Sequence, residues 1–293
     1  MEIITTGKKR YSEMESLLIQ TRKLLRRSGL RARKRLAQYF LTDEEVLGLI
    51  VSTARLSVED VVIEVGSGIG TLTEELAKRA ARVIAIELDD KLASVLEQRL
   101  VSFQNVTVVN IDVLKVEPKA LLTGTKTGYK VVANLPYYIT SPVLRHFLET
   151  EVKPQSMVVM VQKEVAEEIV AKPGKMSLLS IGMQIYGQPE IVSIVPAGSF
   201  YPEPAVDSAI LRVIPYSQPV VEAGDAEGFF TLVRAGFSAA RKQLANSLAQ
   251  GLGIPKDEVF ALLEKTQIGP QRRAETLTLE DWARLWEMYG REK

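Results

Sequence analysis

Asn134-Leu135-Pro136-Tyr137 is the stretch whose residue types and spacing come closest to describing a reaction. It follows an apolar run, residues 129–133, that reads as a buried strand. The Asn134 side-chain oxygen and the Leu135 carbonyl can each accept a hydrogen bond. Pro136 has no N–H to donate and fixes the local backbone. Tyr137 offers a flat face on which a base can stack. Such a set suits the grip of a planar amine. The same residues also suit a strand-terminating turn with an Asn cap.

A second cluster precedes it. Glu64-Val65-Gly66-Ser67-Gly68-Ile69-Gly70-Thr71 lies between a short apolar strand and a helix. Glycines at this junction let a ligand approach the backbone. The pattern is G-x-G-x-G; Thr71 stands where the dinucleotide fingerprint requires its third glycine. Glu64 would repel a pyrophosphate at the helix N-terminus. A cofactor with a cationic centre and no phosphate tolerates it, and S-adenosylmethionine, with a sulfonium and an ammonium, fits. Glu87 ends the second strand, 21 residues after Gly66, the place for a carboxylate that accepts both ribose hydroxyls. Asp112 ends the third strand and can accept from the cofactor's adenine amine. Acids at successive strand ends point to one ligand edge, although each also suits a helix N-cap or an exposed turn.

The elements that must position these groups alternate. Strands are expected over 61–65, 82–87, 106–111, 129–133 and 157–162, and helices over 43–53 (with Thr42 as N-cap), 71–79, 89–100, 141–150, 163–171 and 176–186. This alternation predicts an α/β fold with a doubly wound, mostly parallel sheet. Strands over 190–195 and 208–214 could close it as a hairpin. After Pro215 come a linker, 217–224, and helices alone: 229–250, 256–265 and 278–289. The organisation expected is a basic arm over 1–30 with one helical stretch near 12–27, an α/β domain over 31–215, and a small helical domain over 216–293.

Composition limits the chemistry. The chain has 293 residues, no cysteine and one histidine. Disulfides, thiol nucleophiles and Cys-ligated zinc are excluded, including the zinc site of a deaminase. A Ser-His-Asp triad or a His-ligated metal would have to use His146, between Arg145 and Phe147 in an expected helix, where a structural role suits it better. No metal site is expected. No apolar run spans a bilayer and the N-terminus is too charged for a secretory signal, so a cytoplasmic protein is expected. Residues 1–35 hold eleven basic and three acidic side chains, a surplus of eight positive charges; since the whole chain carries +1, the remainder carries a surplus of seven negative charges. A basic arm on an acidic body suits a polyanion partner, and equally a solvated tail that orders on binding.

With these residues in hand the chain resembles the ribosomal RNA adenine dimethyltransferases, the bacterial KsgA/RsmA type related to the Dim and Erm enzymes. The resemblance runs from about residue 31 to 290. Arg33-Lys34-Arg35-Leu36-Ala37-Gln38-Tyr39-Phe40-Leu41 is similar to the entry motif K-R-x-x-Q-N-F-L. Val161-Gln162-Lys163-Glu164-Val165-Ala166 is similar to the segment after the fifth strand. Phe200-Tyr201-Pro202-Glu203-Pro204-Ala205-Val206-Asp207-Ser208 fits F-x-P-x-P-x-V-D-S, and Arg273-Ala274-Glu275-Thr276-Leu277 followed by Trp282 fits the last motif of the helical domain. Tyr39 departs from the pattern, which has Asn there.

The resemblance implies a Rossmann-like methyltransferase sheet, S-adenosylmethionine as cofactor, and an RNA-binding role for the helical domain. It implies that Gln38, Tyr39, Leu41, Glu64, Gly66, Gly68, Glu87, Asp112 and Asn134 line the cofactor. Asn134, Leu135, Pro136 and Tyr137 would hold the target adenine, with Phe200 as a second aromatic wall. The implied activity is N6,N6-dimethylation of two adjacent adenosines in a hairpin loop near the 3′ end of small-subunit (16S) ribosomal RNA. The implied partners are that RNA and the immature 30S subunit, with the protein a monomer that touches no membrane. Two competing readings are an Erm-like enzyme of large-subunit RNA and a non-enzymatic ribosome-assembly factor. A nicotinamide dehydrogenase is disfavoured by Thr71 and by the absence of a hydride-site histidine.

Overall fold

The computed structural model describes residues 15–33, 38–124, 128–218, 220, 226–239 and 241–291. Much of the expected arm, residues 34–37 of the entry motif, and most of the expected linker lie outside the described residues.

The chain enters through α1 (Leu17–Arg27), whose Leu25 and Thr21 are buried against the body. A short strand, β1 (Phe40–Leu41), leads to α2 (Glu44–Ala54). Its N-cap is Asp43, not Thr42: Asp43 Oδ1 accepts from the Glu45 and Val46 N–H groups at 3.0 and 3.2 Å. A carboxylate satisfies two orphan donors and faces the positive end of the helix dipole. Thr42 instead donates its hydroxyl to the Ser199 carbonyl.

The alternating part follows: β2 (Val61–Val65), α3 (Thr71–Ala77), β3 (Arg82–Glu87), α4 (Asp90–Arg99), β4 (Val106–Asn110), α5 (Pro118–Leu121), β5 (Tyr129–Asn134), α6 (Thr140–Leu148), β6 (Ser156–Gln162), α7 (Lys163–Ile169) and α8 (Leu178–Gln184). Then come β7 (Gly187–Val195), β8 (Phe200–Tyr201) and β9 (Ser208–Pro215). Seven strands form one sheet in the order β4-β3-β2-β5-β6-β9-β7. β4 through β6 are parallel, and β9 lies antiparallel between β6 and β7. The expected closing hairpin is present, but its second strand sits inside and its first forms the edge. β1 and β8 make a separate antiparallel ladder, Phe40 opposite Tyr201 and Leu41 opposite Phe200.

Helices cover both sheet faces, so β2 is buried along its whole length and reads as an unbroken apolar run. Ile63, Ile84 and Val131 point to one face; Val62, Val83 and Val132 point to the other, against α2 and α3. The first core does not stop at the sheet. It continues into the C-terminal helices α9 (Ala226–Phe237), α10 (Leu244–Leu252), α11 (Lys256–Lys265) and α12 (Leu279–Arg291) through Phe229, Leu232, Leu248, Leu262 and Trp282. The single helix expected over 229–250 is two. The Ser247 hydroxyl donates to the Ala239 carbonyl at 3.0 Å across the break. Gly251 lets α10 cross α9 closely, since a Cβ there would lie 2.4 Å from Ala235 Cα. Apolar periodicity continues through the turn, so the sequence alone hides it.

Candidate active site

The sheet order reverses between β2 and β5: β3 and β4 lie beyond β2, and β6 lies beyond β5. A crevice opens outside the carboxyl ends of the strands at such a switch point. Here it is a cavity of about 380 Å³. Gln38, Tyr39, Leu41, Glu64, Gly66, Gly68, Glu87, Asp112, Asn134, Leu135, Pro136 and Tyr137 all line it.

The turn after β2 shapes its floor. Gly66 has φ +72°, and a Cβ there would come within 3.1 Å of Pro136 Cδ, so glycine lets the two loops touch. Gly68 lends its N–H to Glu87 Oε2 at 2.8 Å, while the Asp89 N–H donates to Oε1 at 2.9 Å. Glu87 is therefore held in one orientation at the end of β3. Burial pushes its pKa up, opposed by these two N–H bonds. Glu64 is deeper, 2% exposed, with the Thr73 hydroxyl donating to Oε2 at 2.6 Å. Burial raises its pKa to about 7. Asp112 follows β4, and its Oδ1 accepts from the Leu114 N–H at 3.1 Å, so it caps a 3-10 turn while facing the cavity.

The entry segment closes one side. Asp89 Oδ1 caps α4, and its Oδ2 accepts from Arg33 Nη1 at 2.9 Å and Gln38 Nε2 at 3.3 Å. Arg33 and Asp89 both line the cavity, and sequence reasoning gave neither a place in it. Their pairing joins positions 56 apart, and no local pattern announces it.

At the other side stands Asn134, the last residue of β5. Its Nδ2 donates to the Tyr39 carbonyl at 3.0 Å. That bond fixes which way the amide points and leaves Oδ1 as an acceptor. The Leu135 N–H donates to the Met160 carbonyl at 3.1 Å, which ties the loop to β6. The Tyr137 hydroxyl shares a 2.7 Å hydrogen bond with Ser208 Oγ, and burial raises its pKa. Tyr39 stacks on Tyr137, with centroids 5.5 Å apart.

Phe200 departs from expectation. It is 3% exposed and is not a cavity residue, because its pairing with Leu41 turns the ring into the core beside Leu47, Val195 and Ile210. Among the described residues the aromatic facing Tyr137 is Tyr39. His146 lies away from the cavity; its Nε2 donates to the Val116 carbonyl at 3.0 Å and its ring meets Phe147 edge-on.

The model of the family described as "Ribosomal RNA adenine dimethylase" matches residues 29–290. The chain belongs to the ribosomal RNA adenine dimethylase family. The "Ribosomal RNA small subunit methyltransferase A" of Dehalococcoides mccartyi is 51% identical over 270 residues, 92% of each chain. That of Enterococcus faecalis is 44% identical over 274 residues, 91% of this chain and 93% of its own. Among solved structures, a dimethyladenosine transferase from Plasmodium falciparum shares the fold with a TM-score of 0.74 at 25% identity, covering 86% of this chain and 98% of that one. The 23S rRNA methyltransferase ErmE superposes with a TM-score of 0.68 at 31% identity, covering 85% and 98%. Within this dimethylase family, α1 precedes the matched residues, and Tyr39 falls inside them.

Proposed function

We propose that this dimethylase uses S-adenosylmethionine to convert two adjacent adenosines of a hairpin loop near the 3′ end of small-subunit ribosomal RNA to N6,N6-dimethyladenosine, acting on the immature 30S subunit. The relatives named for the small subunit align over nine-tenths of the chain and support the choice of RNA. The observation that carries the chemistry is Asn134, whose amide nitrogen is committed to the Tyr39 carbonyl while its oxygen is left to accept.

The cavity suits the cofactor by its donor set. Glu64, Glu87, Asp89, Asp90 and Asp112 line it; among the described residues only Arg33 and Lys91 balance them, and Arg33 is already paired with Asp89. Such walls repel phosphate and attract a cation. Glu87, oriented by two backbone N–H groups, would take the ribose hydroxyls; Glu64 would face the cationic end; Gly66 and Gly68 keep the floor free of side chains. When bound, S-adenosylmethionine supplies a methyl group already activated by its sulfonium.

The chain's own residues address the nucleophile. The N6 lone pair of adenine is delocalised into the ring. The Asn134 Oδ1 and the Leu135 carbonyl can accept the N6 hydrogens and so turn the nitrogen's lone pair toward the methyl. Pro136, with no N–H, adds no competing donor. Tyr137, anchored on Ser208, carries the ring of the base. This is catalysis by positioning and fixed dipoles, and it needs no histidine base. A paired base cannot reach such a crevice, so the target is a loop base or a flipped one.

The test is to incubate the protein with labelled S-adenosylmethionine and separated undermethylated ribosomal subunits, then map the label. N6-dimethylated adjacent adenosines in the small-subunit RNA are expected. Label confined to large-subunit RNA would favour the activity in ErmE's name, and no label on either would leave only an assembly role.

A further inference from the structure

The face of Tyr137 on which a base would stack is covered by the protein itself. The Tyr39 and Tyr137 rings lie 5.5 Å apart between centroids with planes at 28°. A base held between two rings needs two van der Waals gaps, about 7 Å in all. Nothing can enter between these rings as they stand.

The two rings are not equally fixed. Tyr137 is anchored through its hydroxyl to Ser208, which is fully buried on β9. Tyr39 is half-buried, and among the described residues its hydroxyl makes no hydrogen bond. Its backbone, by contrast, is pinned. The carbonyl accepts from Asn134, and the next two residues pair with β8. Tyr39 can therefore turn aside about its side-chain bonds without disturbing the strand that follows or the orientation of Asn134.

We infer that Tyr39 is a stand-in for the target base: its ring covers the stacking face of Tyr137 in the free protein and swings away when the adenine enters. The inference rests on the reading of Asn134 to Tyr137 as the base seat. Its consequence is selectivity. An incoming base gains the Tyr137 stack only by displacing an equivalent one, so stacking contributes little net affinity. Discrimination then falls on the hydrogen bonds to N6, which a base without that amine cannot make. The ring also keeps water off the apolar wall of the seat until it is filled.

Steady-state methyl transfer to undermethylated small subunits tests this with Tyr39→Ala and Tyr39→Phe, at saturating S-adenosylmethionine. Cofactor affinity is measured separately by calorimetry. Removing a competing aromatic stack should lower KM for the subunits about two- to tenfold, without a matching fall in kcat. Tyr39→Phe keeps the ring and should keep the wild-type KM for the subunits. A raised KM in Tyr39→Ala would make Tyr39 a wall that the base needs, and an unchanged KM would mean that it does not compete; either overturns the inference. Should Tyr39→Ala not fold, Tyr39→Asn carries the same expectation, since it cannot stack either. The wild type separates the two claims: if it methylates the subunits and Tyr39→Ala shows no gain, the inference fails alone; if it methylates no small-subunit adenine, the proposed function has failed first.

Discussion

Glu64→Gln should act in opposite directions on the empty protein and on its cofactor complex. Glu64 sits on β2 just before the glycine turn, almost without solvent contact. Burial raises its pKa from 4.5 to about 7, the Thr73 hydroxyl opposes that, and the Glu87 carboxylate adds to it. A folded-state value above the unfolded one means that the folded chain holds the proton more tightly. The stability Glu64 contributes is then fully present below pH 4.5 and is lost as pH rises through about 7. Ionising the buried carboxyl costs at most about 3 kcal/mol, from ~1.4 kcal/mol per pKa unit. Gln is nearly isosteric, can still accept from Thr73, and never ionises. In urea unfolding the variant should gain on the wild type between pH 4.5 and pH 8, by up to about 3 kcal/mol. The cofactor reverses the sign. A cation beside Glu64 favours the carboxylate, so wild-type affinity for S-adenosylmethionine should rise with pH through about 7 and binding should release protons. The variant should bind more weakly at pH 8 and release fewer. Calorimetry in buffers of different ionisation enthalpy counts those protons. A stability gap that is the same at both pH values would refute the reasoning, because Glu64 would then ionise alike in the folded and unfolded chains.

Asn134→Ala should lower kcat by on the order of 100-fold, roughly 3 kcal/mol of barrier, with a smaller loss of cofactor affinity; wild-type turnover in a methyl-transfer assay would remove its assigned role. Glu87→Ala should weaken S-adenosylmethionine binding in calorimetry while RNA affinity holds, because it deletes the acceptor fixed by the Gly68 and Asp89 N–H groups. Replacing Lys23, Arg26 and Arg27, all exposed on α1, with Gln should reduce the log–log salt slope of RNA binding by roughly 0.7–0.9 per lost phosphate contact. Superimposable slopes in filter binding would take α1 out of the RNA interface. These substitutions spare Leu25 and Thr21, which pack α1 on the body, and Arg22, whose guanidinium lies 4.7 Å from the centre of the Tyr201 ring.

Much of the fold was legible because its signals are local. The expected strands 61–65 and 82–87 coincide with β2 and β3, and the helix over 256–265 with α11. Apolar runs of strand length bounded by glycine or acidic residues leave little else for the chain to do. The cavity residues were legible for a related reason. In a parallel sheet, residues at or just beyond the carboxyl end of each strand lie along the same edge, so Glu64, Glu87, Asp112 and Asn134 converge once the alternation is recognised. The missed turn between α9 and α10 is different: its apolar spacing continues, and the break depends on how closely the two helices cross at Gly251.

What tertiary structure decided is which of these groups are free. The sequence places Asn134 beside Leu135 and Pro136, but only the return of the entry segment across the sheet commits its amide nitrogen to Tyr39. Resemblance offers Phe200 as the second aromatic wall and gives Tyr39 no such place. Pairing with Leu41 buries the first, while the second is left against Tyr137. The sequence shows Arg33 and Asp89 as unrelated charges, which the fold joins in the wall of the cavity. Strand ends and turns are set by neighbours along the chain. The occupancy of a donor, an acceptor or a ring face is set by residues far away in sequence, through contacts that no local pattern encodes.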